Sequence, residues 1–279
     1  MSRADDYWKY AFEVFKTLTA PFRPEPAEIA FRERAVRGRL PLQAAPEDAR
    51  ALLLGVTAEI TGMRWPEVVE LTAVDQSDAM IEGFWPGDVP GRRRLVRGDW
   101  LNFPAEPHSF RFVLGDGVFN IPEYPEGYAG LARRVAGLLR PDGVMIVRVF
   151  TQPDVKERTE AVVAEIRERS TFDYWAMRFR FVASLQEDVR RGILGGPLPT
   201  IRYLAEHGID NAEFVAKTSY RPVPLPAQLP PGLEGLRINF PTRSEFVAAV
   251  ADRFRVEEVG YGNHELAERC PIYCLAPLG

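Results

Sequence analysis

Two cysteines in 279 residues exclude a fold built on disulfides. Cys270 and Cys274 stand too close in sequence for a useful staple. At i, i+4 they read as small buried hydrophobes on one strand face, and a reducing cytoplasm suits them. No apolar run approaches the roughly 20 residues of a membrane span. The opening MSRADDYWKYAFEVF has two early aspartates and no apolar core, so no signal peptide is visible and the expected location is cytoplasmic. An excess of positive charge is missing too. Lys and Arg number 35 against 39 Asp and Glu, a formal net charge of −4, which disfavours general polyanion binding. The basic run GRRRLVRG (91–98) is short and suits a solvated loop. Only three histidines occur, His108, His207 and His264, too dispersed for a metal motif, so no metal is expected. Each suits a surface or loop position. Each is also a weak candidate general base, because imidazole titrates in the useful range.

What is present is an alternation. Hydrophobic residues make up 46% of the chain, enough for a sizeable core, and the length fits one large α/β domain with an elaboration. ALLLGV (51–56), VVELTAVD (68–75), RRLVRGD (93–99), SFRFVLGDG (109–117) and GVMIVRVF (143–150) read as strands. SDAMIEGFW (77–85) and EGYAGLARRVAGLL (126–139) read as helices between them, the second stopped by Pro141 and Gly143. This rhythm predicts a parallel, doubly wound sheet. Residues 4–20 predict a helix with one aromatic stripe, Trp8, Phe12 and Phe15. The stripe suits a packing face or a lid over a ligand, with Tyr7 and Tyr10 nearby. A basic helix follows around 27–38. Residues 151–236 break the rhythm with helical patterns and a proline-rich loop (221–232). A helix (244–254) and two strands (255–261 and 270–277) close the chain. Their short connection predicts antiparallel pairing.

Open α/β sheets bind ligands at the carboxyl ends of their strands. Gly55, Asp75, Asp99 and Asp116 stand at four such ends. Asp75 follows Gly55 by twenty residues, the spacing of an acid that bonds the ribose hydroxyls of an adenosine. Arg148 falls late in a strand covered on both faces, so it needs a partner. It either pairs with an acid or points to substrate at the strand end.

On these residues the chain resembles the class I S-adenosylmethionine (SAM)-dependent methyltransferases, over about 46–150 and 237–279. Gly55 with Thr57 and Glu59 resembles a degenerate first motif, and Asp75 the ribose-binding acid of the second. GDWLNFP (98–104) resembles the adenine-contacting third motif, with Asp99 toward the amino group and Trp100 along the ring. HSFRFVLGDGVFNIP (108–122) resembles the fourth. LLRPDGVMIVRV (138–149) resembles the entry to strand five. Two features depart from the family pattern. Leu53 stands where an acid is usual, and further glycines are missing after Gly55. A subset of bacterial members has a similar Gly-Val-Thr-x-Glu stretch. There Glu59 either meets the methionine ammonium or supports the N-terminal dipole of the next helix.

The resemblance implies a seven-stranded Rossmann-like sheet with the last strand antiparallel. It implies an N-terminal helical segment (1–45), a SAM-binding core (46–150), a helical cap or insert (151–236) and the end of the core (237–279). It implies SAM as cofactor and S-adenosylhomocysteine as product, held by Gly55, Thr57, Glu59, Asp75, Gln76, Met80, Gly98, Asp99, Trp100, Asp116, Gly117 and Asn120. A small organic acceptor is expected, with Tyr7, Arg148, Tyr174, Trp175, Arg178 and Tyr203 near it. The same insert aromatics also suit a homo-oligomer interface. Protein or RNA methylation is an alternative, for which Arg178, Arg180, Arg190 and Arg191 would form a basic face. A SAM-binding regulatory or scaffold subunit without turnover is the other.

Overall fold

The computed structural model describes residues 12–222 and 236–278. Helix α1 (Pro26–Gly38) precedes β1 (Ala51–Leu54), α2 (Ala58–Thr61), β2 (Leu71–Asp75), α3 (Asp78–Phe84), β3 (Arg93–Arg97), β4 (Phe110–Asp116), α4 (Glu126–Leu138) and β5 (Leu139–Arg148). An insert then runs through α5 (Thr159–Glu168), α6 (Tyr174–Leu185), β6 (Ile193–Gly195), α7 (Pro197–Glu206), α8 (Asn211–Ala216) and β7 (Leu236–Ile238). The chain returns with α9 (Arg243–Val250), β8 (Phe254–Gly260) and β9 (Ile272–Pro277).

Seven strands form one sheet in the order β3-β2-β1-β4-β5-β9-β8. β1 pairs parallel with both β2 and β4, and β9 pairs antiparallel with both β5 and β8. The central strands are apolar on both faces because helices cover both. Leu52, Leu54, Val113, Met145 and Val147 face α4 and α9, where Tyr128, Leu131, Val135, Phe246 and Val250 meet them. The alternate residues Ala51, Leu53, Phe112, Leu114, Val144 and Ile146 face Phe31, Ala35 and Val36 of α1. On α4 the buried residues Tyr128, Leu131, Ala132, Val135 and Leu138 recur every three or four positions, the stripe of an amphipathic helix.

Three expectations shift. The fifth strand begins at Leu139, because Pro141 and Gly143 fall in a bulge where the register jumps between Phe110 and Phe112. The helical insert also holds the antiparallel β6–β7 ribbon. Cys270 precedes β9 while Cys274 lies within it, so they do not share a strand, although both are buried and free. Of the stripe expected over 4–20, Phe12 and Phe15 are described and lie in a helical turn, whereas Tyr7, Trp8 and Tyr10 lie outside the described residues. No described helix is long and apolar enough to cross a membrane.

Candidate active site

The parallel strands bring Gly55, Asp75, Asp116 and Arg148 to one edge of the sheet, and a cavity opens there. Its floor starts where β1 ends. Gly55 turns the chain with φ +79°, a left-handed conformation that suits glycine. The turn aims the Val56 N–H at Asp75 Oδ2 (2.9 Å), while Oδ1 accepts the Ser77 N–H (2.8 Å). Burial raises the Asp75 pKa above the ordinary 3.8, and the bonds from Ser77, Val56 and Gln76 oppose that shift. Met80, Phe84 and Trp100 line the wall on the β2–β3 side. A flat ring fits between such groups, and the Asp75 carboxylate beside them fits a vicinal diol. The residues present therefore fit the adenosine half of SAM.

At the end of β4, Asp116 lines the cavity but its charge is already matched. Asp116 and Arg148 are register neighbours. Arg148 Nε and Nη2 donate to the two Asp116 oxygens at 2.5 and 2.9 Å, a fork-on-carboxylate pair. Arg148 Nη1 donates to Glu28 of α1 at 3.0 Å, and Arg32 Nη2 lies 3.6 Å from Asp116. Arg148, Arg32 and Glu28 are fully buried. His264 Nε2 stands 3.8 Å from Glu28, an ion-pair distance too long for a hydrogen bond. Burial alone would raise the Glu28 pKa. Contact with His264, the Arg148 charge, the Glu25 N–H and Arg32 outweigh it and hold the group at about 2. Burial likewise lowers Arg32 to about 10 despite the Asp116 charge. Arg148 is thus a structural partner of two acids, and it does not line the cavity.

The roof comes from the chain before α1. Phe15, Leu18, Phe22 and Arg23 line the cavity. Arg23 Nε donates to Glu59 Oε1 at 2.6 Å, its guanidinium lies 5.1 Å from the Phe84 ring centroid, and Nη1 reaches the Phe15 carbonyl. Glu59 is also the acid in the first turn of α2, where its charge suits the helix N-terminus. Beyond β4, Gly117 turns with φ +66°, and a Cβ there would meet the Phe150 ring at 2.8 Å. Asn120 is fully used as a staple. Its Nδ2 donates to the Phe150 and Asn239 carbonyls, and its Oδ1 accepts the Phe150 N–H. This fixes both ends of the insert beside the cavity, where Ile121, Phe150, Ile238 and Phe240 form an apolar far end.

Ten of the twelve residues expected at the cofactor line this cavity, and Gly98 and Asp99 do not. Asp99 is exposed and turned into its own loop, accepting from the Leu101 N–H and Asn102 Nδ2. That is the local turn chemistry Asp favours, and it holds the carboxylate away from the wall. The insert residues also differ from expectation. Tyr174 stacks on Tyr220 at 4.0 Å, the Trp175 indole donates to the Thr17 carbonyl, and Arg178 donates to Thr200. Tyr203 packs against the same insert cluster. None of the four lines the cavity. They buttress the roof from behind, with Trp175 edge-on to Phe22. Tyr174, Trp175 and Arg178 are buried within this chain, so they offer no face to a partner. Arg178 is buried and Arg180 is paired with Glu157 and Glu165, so of the four arginines of the expected basic face only Arg190 and Arg191 are exposed. No histidine reaches the cavity among the described residues. His108 is exposed at the opposite end of β4, His207 closes α7 against the Tyr203 carbonyl, and His264 serves Glu28.

Sequence reasoning missed Arg23, Phe22, Phe150, Ile238 and Phe240. The prolines at 21, 24 and 26 mark only the end of a helix. Nothing local tells that the chain folds back over strands it precedes. Among the described residues no group of three His, Cys, Asp or Glu side chains is placed to hold a metal.

No protein-family model matches the chain, and neither does any curated protein sequence. Solved structures do. A 1,6-didemethyltoxoflavin-N1-methyltransferase from Burkholderia thailandensis, with 1,6-didemethyltoxoflavin and S-adenosylhomocysteine bound, is 16% identical with a TM-score of 0.51, covering 99% of this chain and 86% of its own. A candidate Zn-dependent alcohol dehydrogenase from Rhodobacter sphaeroides is 13% identical with a TM-score of 0.55 and full coverage of both chains. A Pyrococcus horikoshii OT3 protein is 12% identical with a TM-score of 0.51, over 96% and 98%. At such identities the likeness concerns backbone and not chemistry, as two different activities among the three illustrate. The fold is that of the class I S-adenosylmethionine-dependent methyltransferases, with β9 running antiparallel between β5 and β8.

Proposed function

We propose that this protein is a methyltransferase that uses SAM to methylate a small organic acceptor with an apolar body. The observation that carries the reading is the single cavity joining a ribose-type acid, Asp75, to an apolar end at Phe150, Ile238 and Phe240. Asp75 would accept the ribose hydroxyls, and Met80, Phe84 and Trp100 would flank the adenine. Bound there, SAM supplies a methyl carbon made electrophilic by its sulfonium. The chain's own contribution is to hold the two reactants in line and to exclude water. Leu18, Phe22, Ile121, Phe150, Ile238 and Phe240 do the second by walling the far end with apolar groups. The described acids on the wall are each engaged: Asp75 by backbone N–H groups, Asp116 by Arg148, and Glu59 by Arg23. This supports catalysis by orientation more than by side-chain proton removal.

Calorimetry with S-adenosylhomocysteine, followed by transfer of label from methyl-labelled SAM, tests the proposal. The acceptors would be small aromatic and heterocyclic amines, phenols and thiols, run beside bulk tRNA and cell protein. Binding with label in the small-molecule fraction is expected. Label in RNA or protein instead would overturn the acceptor class. Binding without any transfer would point to a regulatory subunit, and no binding would refute the SAM site.

A further inference from the structure

Arg23 and Glu59 are the two oppositely charged side chains that meet on the cavity wall between the Asp75 floor and the roof. They come from segments 36 residues apart and touch at 2.6 Å. Both side chains are about four-fifths covered, at 22% and 24% exposure, so their charges are only partly screened. A methionine tail is itself a pair of opposite charges, an ammonium and a carboxylate on one carbon. We infer that Arg23 and Glu59 form a clamp for that zwitterion: the tail's ammonium takes the Glu59 carboxylate, and the Arg23 guanidinium takes the tail's carboxylate. The inference rests on the SAM reading above and adds the residue that reads the acid end of the tail. It also gives the roof a reason to close. Arg23 is tied to Phe15 and Phe84, so a carboxylate that engages its guanidinium holds the segment carrying Phe15 and Phe22 over the cavity.

The clamp makes a prediction of opposite sign for two ligands. A tail with both charges exchanges one ion pair for two. A tail that carries the amine but no carboxylate takes Glu59 from Arg23 and leaves a largely covered guanidinium unmatched, a penalty that selects against it.

The test is calorimetry of the full chain with three ligands: S-adenosylhomocysteine, its decarboxylated amine S-adenosyl-3-thiopropylamine, and 5′-methylthioadenosine, which lacks the charged tail. On the wild-type chain, S-adenosylhomocysteine should bind most tightly and the amine no better than methylthioadenosine. Arg23→Ala should weaken S-adenosylhomocysteine roughly 10- to 100-fold, the range for a hydrogen-bonded charge pair. It should leave methylthioadenosine within about two-fold and strengthen the amine several-fold. Arg23→Lys, which keeps the charge and loses the fork, should fall between wild type and Ala for S-adenosylhomocysteine. Glu59→Gln should weaken S-adenosylhomocysteine and spare methylthioadenosine. If Arg23→Ala weakens all three ligands alike, Arg23 only supports the roof and the clamp is wrong. If the amine binds the wild-type chain as tightly as S-adenosylhomocysteine, no group reads the carboxylate and the clamp is again wrong. If none of the three binds the wild-type chain, the SAM reading itself falls and takes the clamp with it.

Discussion

Replacing Arg148 by Met tests whether buried charge holds the cavity edge together. Met has similar length and keeps most of the packing, so a purely steric role predicts a loss under about 1.5 kcal/mol. The ionic role predicts more. Arg148 is 0% exposed and donates to both oxygens of Asp116 and to Glu28, itself 0% exposed. Removing the cation strands two carboxylates. Arg32, 3.6 Å from Asp116 and acting also on Glu28, and His264 beside Glu28 relieve them only in part. Breaking such a buried pair costs about 3–5 kcal/mol, which for a chain of this size lowers Tm by roughly 5–9 °C. The pH dependence separates the two roles. In the wild type, Glu28 is held at about 2 against an ordinary 4.5. Its depressed pKa adds stability that is fully present above about 4.5 and is lost as pH falls through about 2. In Arg148→Met the Glu28 pKa rises, so the stranded charge destabilises at neutral pH and is relieved by protonation. The Tm gap between the proteins should therefore be widest near pH 7 and narrow on acidification toward about pH 4. Adding Glu28→Gln should recover part of the loss. Thermal scans across pH measure all of this. A small gap that stays constant with pH would refute the ionic account.

Two further predictions concern single groups. Asp75→Ala should weaken S-adenosylhomocysteine by about 1.5–3 kcal/mol, the range for hydrogen bonds to a charged group, and Asp75→Asn should lose less because one carbonyl acceptor is kept. Because burial raises the Asp75 pKa, wild-type affinity should begin to fall on acidification above the ordinary 3.8, and a calorimetric pH series on Asp75→Asn should lack that fall. Burial pushes Cys270 up to about 12 and Cys274 up to about 11, so a colorimetric thiol reagent at pH 8 should leave native protein unlabelled and titrate both thiols in guanidinium. Fast labelling of the folded chain would contradict that burial.

How much of this was legible in the sequence depends on how far each determinant reaches along the chain. The strands and helices of the core follow from periodicity, which acts over a few residues, and their order follows from the alternation. Asp75 is legible because its spacing from Gly55 and its place at a strand end are both local. Asp99 shared that second property and still turned away, because neighbours two and three residues on offered it closer donors. Arg148 was legible as a residue needing a partner, but Glu28 lies 120 residues earlier and belongs to a helix whose own pattern reads only as basic. The insert shows the opposite failure. Tyr174, Trp175 and Arg178 have the composition of a ligand wall, yet the same rings satisfy one another edge-on and stacked, which is also how a core is filled.

That difference has a physical consequence for where specificity resides. The floor of the cavity is made by strand ends whose positions the sheet determines. The roof is made by residues 15–23 and by Ile238 and Phe240, which meet the floor through few polar contacts: Arg23 to Glu59 and the Asn120 staple. Those two connections sit at opposite ends of the cavity. Arg23 binds the roof to the β1 turn, and Asn120 binds the insert to the end of β4. Loosening Arg23 should therefore be felt first by the donor's charged tail. Loosening Asn120, which positions Phe150 and the strand leading to Phe240, should be felt first by the acceptor. A chain that keeps its floor while its roof varies can keep one donor and change acceptors, which is the expected behaviour of a fold whose ligand contacts are divided between strand ends and added segments.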